Sequence, residues 1–376
     1  MALSHREKVI SEKGKVVIKV GTRLLTDIGK VGELITQIHK VREKGYQVIL
    51  VSSGAVGLGM KAMKLTRRPK ELAKKQALAS IGQGKLMSLY DAEAQKYGFH
   101  VGQILLTMSG LRDREQHLNT LNCINTLLQM NVLPIINEND SVAVEELTFG
   151  DNDTLATLVG MMMRCQVTII LTSVDGLYEV KDGKFGERFS IVEKITPGIK
   201  KMAMGTDDAQ TSVGGMASKL KAAAMITEAG EHLWIANGKD ASVLEKIFNG
   251  EDVGTLFLPS ANKLMSSKKR WLSFFAKSQG QIRVDDGAEK AIIKSGRSLL
   301  PSGITALKGS FKKGSAVDIL NKNDKLIAKG LTNYSIEDLR KVIGLKSSEL
   351  DEVLGSQGYE EAIHRDNLVL CDMVEE

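Results

Sequence analysis

KVVIKVGTRLLTDIGKVGELITQIHKVREKGYQVILVSSG, residues 15–54, holds one complete unit of the pattern on which the fold rests. Residues 15–21 are a β-branched run. Residues 31–45 repeat apolar side chains at helical spacing and stop at Gly45, and residues 46–54 form a second apolar run. Two buried strands joined by an amphipathic helix make a crossover unit, and the helix returns the chain so that the strands lie parallel. The alternation then continues: a helical zone over about 71–97, a strand at 100–107, a helix at 119–131, a strand at 132–140, a helix at 154–165, a strand at 167–178, a helix at 218–230 and a strand at 231–238. The expected fold class is α/β, a three-layer αβα sandwich with a mainly parallel sheet, over residues 1–259.

Beyond it the texture changes. Residues 260–279 begin SANKLMSSKKR, short, polar and basic, and read as a linker. Short runs at 281–287, 304–320 and 325–334, separated by Gly, Asp and Asn, predict a small, mostly β module over 280–376. Two domains suit a chain of 376 residues.

Composition narrows the function classes. With 43% hydrophobic and 26% charged residues the chain has ordinary globular character. No apolar run reaches the roughly 18 residues of a membrane span. MALSHREKVISEKGK lacks the apolar core of a signal peptide, so a cytoplasmic location is expected. Cys123, Cys165 and Cys371 show no metal spacing and read as reduced packing residues. His39, His100, His117 and His364 read as solvated or capping, and MMMRC (161–165) as core. A net charge of +6 permits a polyanionic partner, but acidic and basic residues are mixed along most of the chain.

Ligands of open parallel sheets bind beyond the carboxyl ends of the strands, so polar residues there are the site candidates. Lys19, inside an apolar strand, must reach water or a fixed anion. SSGAVGLG (52–59) and VGGMASKLKAAA (213–224) place glycines and a helix N-terminus where backbone N–H groups attract an anion, the second with Lys219 beside it. Neither is a Walker loop or a dinucleotide fingerprint. Asn137, Glu138, Asn139 and Asp140 after one strand, with Asp151, Asn152 and Asp153 before a helix, are turn formers and caps or two sides of a polar pocket.

Taken in order, KVGT (19–22), SSGAVGLG, INEND (136–140), FGDNDTLA (149–156), LTSVDGLY (171–178) and GGMASKLKAA (214–223) resemble the amino acid kinase family. Residues 280–304 and 330–344 resemble the PUA domain appended to some members. The resemblance implies ATP-dependent phosphorylation of the side-chain carboxylate of free L-glutamate, opening proline biosynthesis. It implies Lys19 and Lys219 on the ATP phosphates, Asp153 orienting both lysines, and Ser53, Asp140 and Asn152 on glutamate. The nucleotide would be bordered by Thr172, Ser173, Val213, Gly214, Gly215, Met216, Ala217, Ser218 and Lys219. ATP and magnesium are the implied cofactors. Direct metal ligands are not assigned, with Asp153 the nearest carboxylate. Implied partners are a second or further copy of the chain in a dimer or tetramer, proline as feedback inhibitor, and the reductase that consumes the acyl phosphate. Many members carry Asp at the position of Ser173 and Thr at that of Val213, both on the implied nucleotide side. Two competitors stand beside this reading: a kinase of the same fold acting on N-acetylglutamate, aspartate or a nucleoside monophosphate, and an RNA-binding protein working through its tail. The INEND and GDND pairing weighs against the first. The second rests on GSFKKGS (309–315), one aromatic and two lysines.

Overall fold

A computed structural model describes residues 4–25, 28–143, 151–181, 184–204, 215–260, 266–345, 349–350, 353 and 359–371. Contacts divide the chain into two units, residues 1–264 and 265–376.

The first unit opens with α1 (His5–Ser11), β1 (Lys15–Val20), α2 (Ile28–Glu43) and β2 (Gln47–Val51). It continues through α3 (Ala55–Ala62), α4 (Leu72–Gln95), β3 (Val101–Leu106), α5 (Met108–Arg112), α6 (Arg114–Gln129) and β4 (Leu133–Glu138). Next come α7 (Asn152–Met163), β5 (Val167–Thr172), β6 (Tyr178–Lys181), β7 (Lys184–Arg188) and β8 (Ile191–Val192). It closes with α8 (Pro197–Met204), α9 (Met216–Glu228), β9 (His232–Asn237), α10 (Val243–Phe248) and β10 (Thr255–Phe257).

Eight strands form one sheet in the order β3-β4-β2-β1-β5-β9-β10-β8. The pairings from β3 to β9 are parallel, whereas β10 runs antiparallel to β9 and β8 runs parallel to β10. The expected α/β sandwich is therefore present, and its central strands share one carboxyl edge. Successive side chains of a strand face opposite layers. In β1, Val16, Ile18 and Val20 join the core that includes Val31, Ile35 and Ile38 of α2. Val17 and Lys19 face the other way, toward α7, which packs on β1. Met161, Met162 and Met163 of α7 are buried, as core residues should be.

Helices α3 and α4 meet backbone to backbone. A Cβ on Gly82 would stand 1.7 Å from the Ala55 carbonyl oxygen, and one on Gly59 would stand 2.0 Å from that of Leu78. Only glycine allows that approach.

The second unit contains α11 (Ser267–Phe274), β11 (Gly280–Val284), α12 (Asp286–Ser295), β12 (Ile304–Gly309), β13 (Ala316–Leu320), β14 (Leu326–Leu331), α13 (Ile336–Val342) and β15 (Leu368–Leu370). Its sheet order is β12-β11-β13-β14-β15, over a core that includes Ile282, Val317, Ile319 and Leu339. The segment read as a linker, 260–279, holds α11. Ser266 caps that helix by accepting from the Lys269 amide at 3.3 Å. Arg270, Trp271 and Leu272 are buried, and α11 packs on β14 and β15, so it belongs to the second unit. The polar start of the helix disguised an apolar face three residues later.

Two other expectations are corrected. His117 is neither solvated nor a cap. It lies seven residues from buried Ile124 on the inner face of α6, and burial, with Arg114 nearby, lowers its pKa to about 4. Among the cysteines only Cys165 is buried, while Cys123 is exposed on the outer face of α6.

Candidate active site

The parallel register brings four strand ends together. Lys19 pairs with Val51 on one side and Ile170 on the other, and Val51 pairs with Ile136. One residue or so beyond lie Ser52 and Ser53, Asn137, and Thr172 with Ser173. The turn after β2 needs Gly54, whose φ of 103° is left-handed, to start α3 directly behind Ser53.

Helix α7 carries the second Asx cluster into the same edge. Asp151 caps it, accepting from the Thr154 amide at 2.8 Å, so Asn152 and Asp153 occupy its first turn. Asp153 is 1% exposed, and its two oxygens are divided between two ammonium groups. Lys19 Nζ lies 2.6 Å from Oδ1 and Lys219 Nζ lies 3.1 Å from Oδ2. Burial pushes the Asp153 pKa up, but the two lysines outweigh it and hold the carboxyl below its ordinary value. Lys219 arrives from the first turn of α9, whose N-cap is Gly215. A buried cation pair fixed by one carboxylate, beside a helix N-terminus, is a place for a highly charged anion.

Next to this charged cluster sits a neutral one. Asn152 Nδ2 donates to the Ser52 carbonyl at 2.7 Å, to Ser53 Oγ at 2.7 Å and to Asn137 Oδ1 at 3.0 Å. Because an amide nitrogen accepts nothing, Ser53 Oγ is an acceptor here and keeps its own proton to donate to a ligand. Asn152 keeps its Oδ1 for a ligand donor by the same reasoning. Asp140 lies in the turn after β4, half-buried. Burial raises its pKa, against the lowering influence of Arg68.

The structure thus joins Lys19, Asp153 and Lys219 in one cluster and Ser53 and Asn152 in another, with Asp140 in the turn beyond β4. Thr172 ends β5, where its carbonyl accepts from the Gly238 amide at 2.8 Å, and Ser173 follows it. Gly215, Met216, Ala217 and Ser218 form the entry of α9, and Ser218 Oγ donates to the Gly215 carbonyl at 3.1 Å. Val213 and Gly214 lie outside the described residues. Asn137 and Ser52, noted in the sequence without an assigned role, and Gln83 and Tyr90, which the sequence reading passed over, are all joined to this edge. The available signal was two polar-tipped residues, Gln83 and Tyr90, seven apart in the otherwise apolar buried stripe of α4.

Among the described residues no group of three or more His, Cys, Asp or Glu side chains could hold a metal. Both Asp153 oxygens already bind lysines, so the nearest carboxylate is occupied as an organiser of cations and does not fit the role of a direct metal ligand.

Residues 14–237 match the family model described as the amino acid kinase family, and residues 280–354 match that of the PUA domain. A glutamate 5-kinase of Syntrophus aciditrophicus (strain SB) is 42% identical over 373 residues, covering 97% of this chain and 96% of the relative. The chain belongs to the amino acid kinase family, in its glutamate 5-kinase branch. A second glutamate 5-kinase, of Caldanaerobacter subterraneus subsp. tengcongensis, is 43% identical over 95% of this chain and 98% of its own. A solved carbamate kinase of Giardia lamblia bound to AMP-PNP aligns with a TM-score of 0.46 at 18% identity, over 67% of this chain and 100% of that one. The cluster at the sheet edge lies wholly within the residues matched to the amino acid kinase family, and the second unit carries the PUA match.

Proposed function

We propose that this chain transfers the terminal phosphoryl group of ATP to the side-chain carboxylate of L-glutamate, giving L-glutamyl 5-phosphate and ADP, the first step of proline biosynthesis. The observation that carries the reading is the pairing of Lys19 and Lys219 on one buried carboxylate, adjacent to the neutral Ser53 and Asn152 pair. A glutamate carboxylate, with a reference pKa of about 4.3, is already ionised at neutral pH and needs no general base. A carboxylate oxygen attacks the γ-phosphorus while the bond to the bridging oxygen breaks and ADP takes the electron pair. The demand on the protein is positioning and relief of repulsion between two anions.

Lys19 and Lys219 take the phosphate side, held in place by Asp153. Ser53 donates to a substrate carboxylate, while Asn152 Oδ1 and Asp140 accept from its ammonium group. Thr172, Ser173 and the segment from Val213 through Gly214, Gly215, Met216, Ala217 and Ser218 border the nucleotide. Magnesium bound with the nucleotide would supply further charge neutralisation beside Lys19 and Lys219. A homodimer or tetramer, feedback inhibition by proline, a cytoplasmic location and hand-over to a reductase complete the proposal. RNA is not proposed as its main partner: Phe311, the aromatic of GSFKKGS, is buried and offers no free face for a base to stack on.

The test is ADP release from MgATP with L-glutamate, N-acetyl-L-glutamate and L-aspartate in parallel, trapping acyl phosphate as the hydroxamate. Hydroxamate from L-glutamate alone, suppressed by proline, is the expected result. Turnover of another acceptor in preference to glutamate would overturn it.

A further inference from the structure

On the reading of the acceptor side just given, we infer that Gln83, buried on α4, is a positioning residue that braces the Asn137 amide, and through it Asn152, in the orientation set by the backbone, and so favours acceptors carrying an α-ammonium group. Two backbone groups fix every atom in the relay. The Glu138 amide can only donate, and it lies 2.9 Å from one side-chain atom of Asn137, which must therefore be Oδ1. Asn137 Nδ2 then points at Gln83, 3.0 Å from an atom that must be Oε1. The Ser52 carbonyl can only accept, so the Asn152 atom beside it is Nδ2, and this same nitrogen reaches Asn137 Oδ1. The relay runs Gln83 to Asn137 to Asn152 with no freedom to invert, and it ends with Asn152 Oδ1 turned to the substrate as an acceptor.

Gln83 is well placed to anchor such a relay. It is 7% exposed and follows Gly82, whose missing side chain seats α4 on α3. The same helix braces the next strand end. Tyr90, one heptad on, lies 2.9 Å from Ser52 Oγ, and Ser52 in turn donates to the Ser53 carbonyl at 3.2 Å. Among the described residues Gln83 Nε2 is buried without a hydrogen-bond partner. An unpaired buried donor is costly to the fold, so what the glutamine provides is its other atom, the Oε1 that orders Asn137.

Gln83→Met keeps length and burial but removes the acceptor, and Gln83→Glu keeps an acceptor oxygen in place. The measurement is kcat/KM for L-glutamate and for glutarate, which lacks the ammonium group, in one preparation of each full-length variant, with ATP KM alongside. The ratio of the two acceptors does not depend on how much enzyme is folded. Gln83→Met is expected to raise the glutamate KM and narrow the glutamate-to-glutarate ratio about tenfold, the worth of one buried hydrogen bond. ATP KM should stay unchanged, and Gln83→Glu should recover most of the ratio. An unchanged ratio in Gln83→Met, or equal loss in the Met and Glu variants, would overturn the inference while leaving the functional reading intact. A parent chain that forms no hydroxamate from glutamate would overturn both.

Discussion

The two halves of the site solve opposite electrostatic problems. On the phosphate side Asp153, Lys19 and Lys219 are all buried and all charged, with each carboxylate oxygen committed to one lysine. On the acceptor side Ser53, Asn137 and Asn152 are neutral, and order comes from the direction of their hydrogen bonds. On the proposed assignment, charge is concentrated where negative charge would shift during transfer, where it acts on the barrier, and dipoles serve where a zwitterion would bind and leave. A buried ion pair is strongly disturbed when one member is lost, whereas a dipole network degrades by steps.

That contrast can be broken most forcefully at Asp153 and Lys219. Lys219→Ala should lower kcat by about 100-fold or more with glutamate KM little changed, since a cation acting on transferring charge contributes to the barrier. Asp153→Asn should match it, because both lysines then lose their common anchor. A change confined to glutamate KM would show that the two halves are not divided as described. Asp140→Ala should do the reverse, raising the glutamate KM by about tenfold or more with a smaller change in kcat. Steady-state kinetics with each substrate varied separately distinguishes the two.

A smaller effect sharpens the contrast structurally. Gly82→Ala forces a methyl group onto the Ala55 carbonyl and should destabilise the first unit by about 1–3 kcal/mol, measured by urea unfolding. Glutamate KM should suffer before ATP KM, since α4 braces only the acceptor side. Equal damage to both would contradict the assignment.

The smallest expected signal is the sign of a pH dependence. Asp153 lies below its ordinary value despite burial, so its contribution to stability is present above the usual carboxylate range, near pH 4, and is lost as the pH falls through its own lower value. Asp140 runs the other way. Burial raises its pKa, so its ionised form costs stability above that raised value, and the cost fades as the pH falls through it. Relative to the parent, Asp153→Asn should therefore be less stable at pH 7 than the comparison at low pH, and Asp140→Asn should gain stability at pH 7. Unfolding midpoints between pH 3 and 7 that shift with the same sign in both variants would refute the distinction.

How much of this was legible in the sequence follows from the range of the interactions involved. The sheet was readable because alternation of apolar runs and helical spacing is local, and the site positions were readable because parallel strands gather their carboxyl ends. Lys19 stood out as a charge in an apolar strand, and Asp151 as a cap. Gln83 and Asn137 are 54 positions apart, and no local pattern relates them. Arg6 shows the same limit: its guanidinium lies 4.6 Å above the Trp234 ring and donates to the Val253, Ser190 and Gly254 carbonyls, a set of partners that exists only after folding. Helix α11 escaped notice because its first turn is polar, and His117 because its helix rotates one histidine inward.

The glycine contact between α3 and α4 also bears on the connection between them. With backbone against backbone at Gly59 and Gly82, the two helices hold each other without help from residues 63–71, nearly all of which are exposed. That connection acts as a tether whose continuity is dispensable. A single cut at Arg67 or Arg68 should leave α3 and α4 associated, so a nicked chain should run as one species on a native gel and separate only on denaturation.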